Sequence, residues 1–174
     1  KILVVSHVWR PNGKINKDLS LKPICKSLEK KINQKVRLIQ DDIYKLRRDD
    51  LFNDSEEKIV FLENIRFYEE EEKNYTNFSK HLSGLADIFV NDAFYCSHRN
   101  HATINRITNF LPSYAGLQFE STVNALKKVT TTIQKPLPCI INGSKISTTI
   151  DLLNNFITKF DNLLFMVGMA NNIL

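Results

Sequence analysis

The segment ILVVSHVWR, residues 2–10, places an apolar run directly before two basic side chains. Comparable runs occur at Ile59–Leu62, Ile88–Val90 and Cys139–Ile141, and helical patterns separate them as in a parallel α/β sheet. Ligands of such sheets bind beyond the carboxyl ends of the strands, where basic side chains from several strands would converge. The pattern predicts a phosphate-binding enzyme whose candidate ligand-binding residues are His7, Arg10, Arg66, Arg99 and Lys145.

Helical periodicity fills the intervals between these strands. We predict that Ser20 caps a first helix and that Pro23 lies in its first turn, where the missing N–H has no cost. The apolar face of this helix is predicted to contain Leu21, Ile24, Leu28 and Ile32. Further predictions are a strand at Val36–Ile39, a short surface helix or loop over residues 44–57, and a helix over residues 77–85 with His81 on its exposed side.

The last third of the chain starts a second α/β pattern. A long amphipathic helix is predicted from Leu117 to Ile133, because apolar residues recur there at three- and four-residue spacing, and Pro136 ends it. The strand Cys139–Ile141, a turn, another helix and a strand at Leu163–Val167 are predicted to follow. The apolar face of that later helix is predicted to contain Ile146, Ile150, Leu153 and Ile157.

Composition and charge exclude several classes of protein. The chain has 174 residues, 43% of them hydrophobic and 25% charged, which suits one domain or one domain plus part of another. The net charge is +5, but the basic residues are dispersed and Glu69–Glu72 forms an acidic run, predicted to be a solvated face. No nucleic-acid partner is therefore expected. No apolar stretch approaches the roughly 18 residues of a membrane span, and three widely spaced cysteines suit a reducing, cytoplasmic setting.

A series of motifs resembles those of phosphoglycerate kinases, in the family's order and through nearly the whole chain. In the first half they are SHVWRP (6–11), SLKP (20–23), LENIRF (62–67), EEKN (71–74) and AD with VNDAF (86–87, 90–94). In the second half they are HRNH (98–101), FLPS with AGL (110–113, 115–117), GSKIS (143–147) and GMAN (168–171). One such match would be weak, whereas the ordered series is specific.

The resemblance implies a two-lobed α/β kinase built of Rossmann-like, three-layer parallel-sheet sandwiches, with the second lobe truncated. The implied domains are an acceptor domain over residues 1–116 without its first strand, an interdomain helix over residues 117–134, and the start of a nucleotide-binding domain over residues 135–174. The implied reaction transfers a phosphoryl group between 1,3-bisphosphoglycerate and MgADP, giving 3-phosphoglycerate and MgATP. The nucleotide carries the Mg²⁺, no metal is expected to bind the protein directly, and the parent protein is expected to be a monomer.

The resemblance also implies roles for individual residues. His7, Arg10, Arg66 and Arg99 would bind the phosphate and carboxylate of the acceptor, and His101 would belong to the same basic patch. Arginine suits this task because its planar, paired donors match both anionic groups. The implied nucleotide-binding residues are Gly143, Lys145, Thr149 and Gly168, and Lys145 would also reach the phosphoryl group in transit.

Several residues depart from the family pattern, among them Asn142 and Met166-Val167 in place of family glycines, and three departures bear most on activity. Trp9 stands where the family has a glycine before Arg10, and its Cβ is expected to obstruct a tight turn. Tyr95 also replaces a family glycine. Thr149 stands where the family has a second lysine for the nucleotide phosphates, a loss expected to lower the rate on the order of 10²-fold. We therefore predict no useful turnover by this chain alone. The alternative function is that of a decayed, non-catalytic remnant that retains at most binding of 3-phosphoglycerate.

Two further interpretations concern polar residues near the fourth strand. Asp92 is predicted to be a structural carboxylate at a strand end, because a carboxylate nucleophile needs no general base. Cys96, His98 and His101 have a spacing that would allow a metal site together with Asp92. The family match explains the two histidines better than a metal does.

Overall fold

The computed structural model describes residues 1–52, 57–131, 135–142, 154 and 158–166. The chain divides into two compact units, Lys1–Phe119 and Glu120–Leu174. The described strands are β1 (Ile2–Val4), β2 (Val36–Ile39), β3 (Ile59–Leu62), β4 (Phe89–Asn91), β5 (Ser113–Ala115), β6 (Pro138–Asn142) and β7 (Asn162–Met166). The described α-helices are α1 (Lys22–Ile32), α2 (Arg48–Leu51), α3 (Glu69–Glu72), α4 (Thr76–Ser83) and α5 (Leu117–Thr131). Single 3₁₀ turns occur at Lys17–Leu19, Ile43–Lys45, Ile65–Phe67, Phe94–Cys96 and Arg106–Asn109.

All the described strands pair in parallel, which confirms the predicted α/β class with parallel sheets. In the first unit, β3 is the central strand of a sheet with the order β1-β3-β2. Strands β2 and β3 have the predicted bounds, whereas β4 begins one residue later than predicted. Strand β5, which pairs with β4, is not predicted by the sequence because its three residues are all exposed and carry no apolar pattern.

The two faces of the central sheet bury different side chains, because successive residues of a strand point to opposite faces. Phe61 packs with Leu21 and Cys25, at the start of α1. Val60 and Leu62 point the other way and join the larger cluster, which includes Phe78 and Leu82 of α4. Helices therefore cover both faces of the sheet, which gives the first unit the expected three layers.

The start of α1 differs in detail from the prediction. Leu21, not Ser20, occupies the N-cap position, and it has no side-chain cap. The Ser20 hydroxyl still accepts a hydrogen bond from the Lys22 N–H at 3.2 Å, and it donates to Glu63 Oε2 at 2.6 Å. Pro23 lies in the first turn as predicted. The serine thus joins the helix to the end of β3 instead of capping it in the usual way.

The buried face of α1 also differs from the prediction. Leu21 and Cys25 are buried, whereas the side chain of Ile24 is 45% exposed. The spacing of four residues from Leu21 to Cys25 follows the helical repeat, and it turns Ile24 towards solvent. The assignment of Ile24 to the apolar face was therefore wrong.

The predicted short surface segment is present, whereas one predicted exposed side chain is not exposed. The described part of residues 44–57 is mostly exposed and contains the short helix α2, although Leu46 and Leu51 belong to the main core cluster. His81 is half-buried, and its Nε2 lies 2.7 Å from the carbonyl oxygen of Ile43. The prediction for His81 was wrong because its ring contacts the turn at Ile43–Lys45, which is 38 residues away and leaves no signal in the local helical pattern.

The long helix and the second unit follow the predicted order. Helix α5 begins at Leu117 as predicted, and none of its residues is buried. In the second unit β6 and β7 pair in parallel, with Ile141 opposite Phe165, and Asp161 accepts a hydrogen bond from the Leu137 N–H at 2.9 Å. The predicted helix with Ile146, Ile150, Leu153 and Ile157 lies outside the described residues.

Among the described residues, no helix combines the length and apolar composition needed to cross a lipid bilayer.

Candidate anion-binding site

Two turns meet at the carboxyl edge of the central sheet. Strands β1 and β3 run parallel in register, with Val4 opposite Phe61, so the residues that follow them emerge side by side. The Ile65 N–H donates a hydrogen bond to the Ser6 carbonyl oxygen at 3.1 Å, which joins the two turns directly. This contact brings the segment containing His7 next to the segment containing Arg66.

The fully buried side chain of Asn64 forms a second connection between the two turns. Its Nδ2 donates to the carbonyl oxygens of Val8 and Leu19, both at 2.9 Å. Its Oδ1 accepts from the Arg66 N–H at 3.2 Å. One amide side chain therefore satisfies three backbone groups and fixes the backbone from which Arg66 projects.

Arg66 is the most buried cation of this edge, since only 3% of its side chain is exposed. Its Nη1 donates to the Trp9 carbonyl oxygen at 3.0 Å, and its Nε lies 3.5 Å from Glu72 Oε1. Its Nη2 is buried and has no hydrogen-bond partner among the described residues. Burial lowers the pKa of the guanidinium, and the positive charge of Arg99 acts in the same direction.

His7 and His101 complete a cluster of basic side chains with Arg66 and Arg99. The pKa of His7 falls from 6.5 to about 4 because of burial, with Arg66, Arg99 and His101 adding to the effect. Burial also lowers the pKa of His101, and the next cause is Arg66. The structure thus brings four of the predicted residues together. Their mutual repulsion favours the binding of an anion among them, where backbone and side-chain donors can surround it.

The other predicted site residues are not part of this cluster. Arg10 is exposed and makes no hydrogen bond or ion pair within the described part of the chain. Gly143, Lys145, Thr149 and Gly168 lie outside the described residues, so their predicted roles remain predictions.

The acidic run was wrongly predicted to be a solvated face. Glu71 is buried, and both of its carboxylate oxygens accept hydrogen bonds from Thr103, one from the N–H at 2.9 Å and one from the hydroxyl at 2.7 Å. Glu72 faces Arg66. Only Glu69, which pairs with Lys73 at 2.8 Å, is largely exposed as predicted. A run of identical glutamates gives no periodic signal, and Thr103 is 32 residues away, so local patterns could not distinguish these side chains.

Asp92 has the structural role predicted for it. It follows β4, and its Oδ1 accepts a hydrogen bond from the Phe119 N–H in the first turn of α5 at 2.9 Å. A Cβ at Gly116 would collide with this carboxylate, so the close approach requires glycine.

Within the described ranges, no group of three His, Cys, Asp or Glu side chains is arranged to hold a metal ion.

The family model described as Phosphoglycerate kinase matches residues 1–174. The chain belongs to the phosphoglycerate kinase family. It is 44% identical over its whole length to the phosphoglycerate kinase of Wolbachia sp. subsp. Brugia malayi, of which it covers 43%. The corresponding values for the Bartonella bacilliformis phosphoglycerate kinase are 41% identity and 44% coverage. The chain therefore spans less than half the length of these relatives.

Solved structures of phosphoglycerate kinases are similar as well. The Coxiella burnetii enzyme is 37% identical, with a TM-score of 0.79 over 99% of this chain and 43% of its own. The Pyrococcus horikoshii enzyme, at 23% identity, shares the fold with a TM-score of 0.82 over 97% of this chain and 44% of its own. These likenesses agree with the fold class predicted from the strand pattern.

Two departures from the phosphoglycerate kinase pattern have different structural consequences. Trp9 has a φ of 55°, in the left-handed region that favours glycine, and its side chain is 76% exposed. The expected conflict between its Cβ and the turn is therefore present as backbone strain. Tyr95 is similarly exposed, but its φ is not positive, so glycine is not needed there for conformational reasons.

Proposed function

We propose that this chain contributes the acceptor-binding part of a phosphoglycerate kinase. In the proposed reaction a phosphoryl group passes between 1,3-bisphosphoglycerate and MgADP, giving 3-phosphoglycerate and MgATP. The observation that carries the proposal is the buried Nη2 of Arg66, which has no hydrogen-bond partner among the described residues and lies in a cluster of basic side chains. A buried donor without a partner costs about 1–3 kcal/mol, so a ligand oxygen placed there recovers that free energy.

The residues of the cluster suit the two anionic groups of 3-phosphoglycerate. Arg66 and Arg99 offer planar donors to phosphate or carboxylate, and His7 and His101 add donors whose charge increases when an anion raises their pKa. Arg10, exposed at the rim, reaches the same ligand in this proposal. Phosphoryl transfer requires alignment and charge neutralisation more than covalent chemistry, and basic side chains supply both.

The nucleotide side of the proposal rests on the family resemblance. Gly143, Lys145, Thr149 and Gly168 would contact the nucleotide phosphates, and Lys145 would also contact the phosphoryl group in transit. The Mg²⁺ arrives with ATP or ADP, and the proposal includes no metal bound directly by the protein. A cytoplasmic, monomeric parent protein without nucleic-acid or membrane partners belongs to the same proposal.

Turnover by the 174-residue chain alone is not expected. Thr149 supplies no cation where the family pattern has a lysine, and the chain spans 43% of the Wolbachia relative. The alternative, a non-catalytic remnant, is not favoured by the comparisons. Binding of 3-phosphoglycerate is common to both possibilities and is therefore the activity to measure first.

The test is calorimetric titration of the chain with 3-phosphoglycerate, beside a coupled assay with MgATP. We expect saturable binding, an affinity about 100-fold lower for Arg66→Ala, and no turnover. Arg47→Ala is the matched control, because Arg47 is an exposed arginine at the start of α2. An absence of binding, or equal losses for the two variants, would contradict the proposal.

A further inference from the structure

One short segment supplies two of the four clustered basic side chains. Arg99 and His101 lie between the turn at Phe94–Cys96 and Ala102, which is fully buried. The segment is not held by a strand or a long helix. Contacts from elsewhere in the fold must therefore fix it beside Arg66.

Glu71 makes most of these contacts. Its backbone carbonyl oxygen accepts from the Ala102 N–H at 2.9 Å. Its carboxylate accepts the N–H and the hydroxyl of Thr103, and Oε1 also lies 3.8 Å from His101 Nδ1. A single residue of α3 thus forms hydrogen bonds with two successive residues of the segment, Ala102 and Thr103, and lies close to a third, His101.

Two neighbouring side chains also form hydrogen bonds with the segment that carries Arg99 and His101. Asn74 Nδ2 donates to Asn100 Oδ1 at 2.7 Å, and the Ser79 hydroxyl donates to the Ala102 carbonyl oxygen at 3.0 Å. Both are buried. Asn74 and Ser79 are uncharged. Of the three side chains that hold the segment, Glu71 is the charged one.

The burial of this carboxylate is costly, which argues for a specific role. Only 3% of the Glu71 side chain is exposed, and desolvation raises its pKa, with the Thr103 bonds acting in the opposite direction. Among the described residues, both hydrogen bonds of the carboxylate come from Thr103, in the segment that carries Arg99 and His101. An uncharged side chain of the same shape could satisfy the same groups, so geometry and charge can be separated by experiment.

We propose that Glu71 is a positioning residue of the anion-binding site. Its carboxylate fixes residues 99–103 so that His101 and Arg99 face Arg66 before the ligand arrives. The identity of the ligand rests on the proposed function, but the attachment of the segment does not. Preorganised donors bind an anion more tightly because less order is lost on binding.

Three substitutions at Glu71 separate the effect of side-chain length from the effect of negative charge. Glu71→Gln keeps the length, so its amide can accept from the Thr103 N–H and donate to the Thr103 hydroxyl. Glu71→Asp keeps the charge but withdraws the oxygens by one methylene. Glu71→Ala removes both. Glu69→Ala and Glu69→Asp are the controls, because Glu69 belongs to the same run and its carboxylate pairs with the exposed Lys73, not with the segment of Arg99 and His101.

Two measurements on the full chain test the proposal, both below the melting temperature of every variant. Amide hydrogen exchange at Ala102 and Thr103 reports the attachment of the segment without ligand, and titration with 3-phosphoglycerate reports its effect on binding. We expect Glu71→Asp and Glu71→Ala to exchange at least about tenfold faster and to bind about tenfold more weakly, with Glu71→Gln and both Glu69 variants within about threefold of the unmodified chain.

The proposal is overturned if the variants rank the other way in affinity. If Glu71 acts only through its charge, Glu71→Asp binds like the unmodified chain and Glu71→Gln binds more tightly, since a negative charge has left a site for anions. Unchanged exchange at Ala102 and Thr103 in Glu71→Asp overturns it as well. If the unmodified chain does not bind 3-phosphoglycerate, the proposed function fails, while the exchange rates still decide whether Glu71 fixes the segment.

Discussion

The turns after β1 and β3 carry the same sequence signal but have opposite environments. After β3, Asn64, Ile65, Arg66 and Phe67 are all buried, and hydrogen bonds fix the backbone. After β1, His7 is half-buried, but Trp9 and Arg10 are exposed, and Trp9 has a left-handed backbone. A basic residue after a strand therefore indicates the correct edge of the sheet, whereas its burial depends on the groups that surround it.

The two turns differ in burial because the side chains that join them come from the turn after β3. Asn64 of the β3 turn donates to Val8 of the β1 turn, and Arg66 donates to the Trp9 carbonyl oxygen. Both bonds go from side chains of the turn after β3 to backbone atoms of the turn after β1. The turn after β3 therefore supplies the side chains that join the two turns, and the turn after β1 supplies backbone acceptors.

The largest expected effect is the loss of that connection. Asn64→Ala removes two donors from the part-buried carbonyl oxygens of Val8 and Leu19 and one acceptor from the Arg66 N–H, so we expect the free energy of unfolding to fall by about 3 kcal/mol. Urea denaturation measures the change. Asn16→Ala is the control, since Asn16 is exposed and its side chain accepts one hydrogen bond, from the nearby Asp18 N–H, so the substitution is expected to cost about 1 kcal/mol or less. Equal losses would mean that the turns are independent.

The next effect compares the two arginines as binding groups. Arg66→Lys loses the planar fork that serves Trp9 and the ligand together, so we expect affinity for 3-phosphoglycerate to fall about 30-fold. Arg10→Lys keeps a movable cation at an exposed position, and a change of less than about threefold is expected. Calorimetric titration measures both. A similar loss at Arg10 would show that the β1 turn becomes as ordered as the β3 turn when the ligand binds.

The pH dependence tests whether His7 belongs to the site. A bound anion raises the low pKa of this imidazole from about 4, so binding takes up a proton and becomes tighter as the pH falls. With sulfate as the probe, whose charge stays constant, we expect about tenfold tighter binding at pH 5.5 than at pH 7.5. His7→Gln is expected to flatten most of this change. Affinity that falls or stays level with decreasing pH would place His7 outside the site.

The same pKa fixes the sign of the effect on stability. The imidazole has a pKa of 6.5 in the unfolded chain and about 4 in the folded chain, so the unfolded state takes up the proton first. The contribution of His7 to stability is present above pH 6.5 and is lost as the pH falls towards 4. Binding experiments at low pH therefore need a parallel measurement of the folded fraction.

The smallest effect concerns the strained backbone of the β1 turn. Trp9→Gly removes a residue with Cβ from a left-handed conformation, and we expect the free energy of unfolding to rise by about 1 kcal/mol. Trp9→Ala is the control, because it removes the exposed ring and keeps the strain. Thermal and urea denaturation should show stabilisation for glycine alone. Equal stability of the two variants would mean that the ring, not the backbone, determines the conformation.

Much of the fold could be predicted from local pattern because its strands are short, apolar and bounded by polar turns. The bounds of β2 and β3 agree with the prediction for this reason. The prediction for α1 placed Ile24 in the core although Cys25 is buried there, because both residues are apolar and only the packing against Phe61 distinguishes them. The short exposed β5 carries no pattern, and its pairing with β4 depends on a partner more than 20 residues away.

The sequence by itself determined the parallel α/β class, the family and the edge of the sheet where His7, Arg66, Arg99 and His101 meet. Those features depend on apolar runs, motif order and strand direction, which are local or repeated along the chain. Only the tertiary structure decided that Arg66 is buried while Arg10 is exposed, and that Glu71 of four adjacent glutamates turns inwards. Burial and hydrogen bonding of a charged side chain depend on partners far away in sequence, here Trp9 and Thr103, and only folding brings those partners into contact.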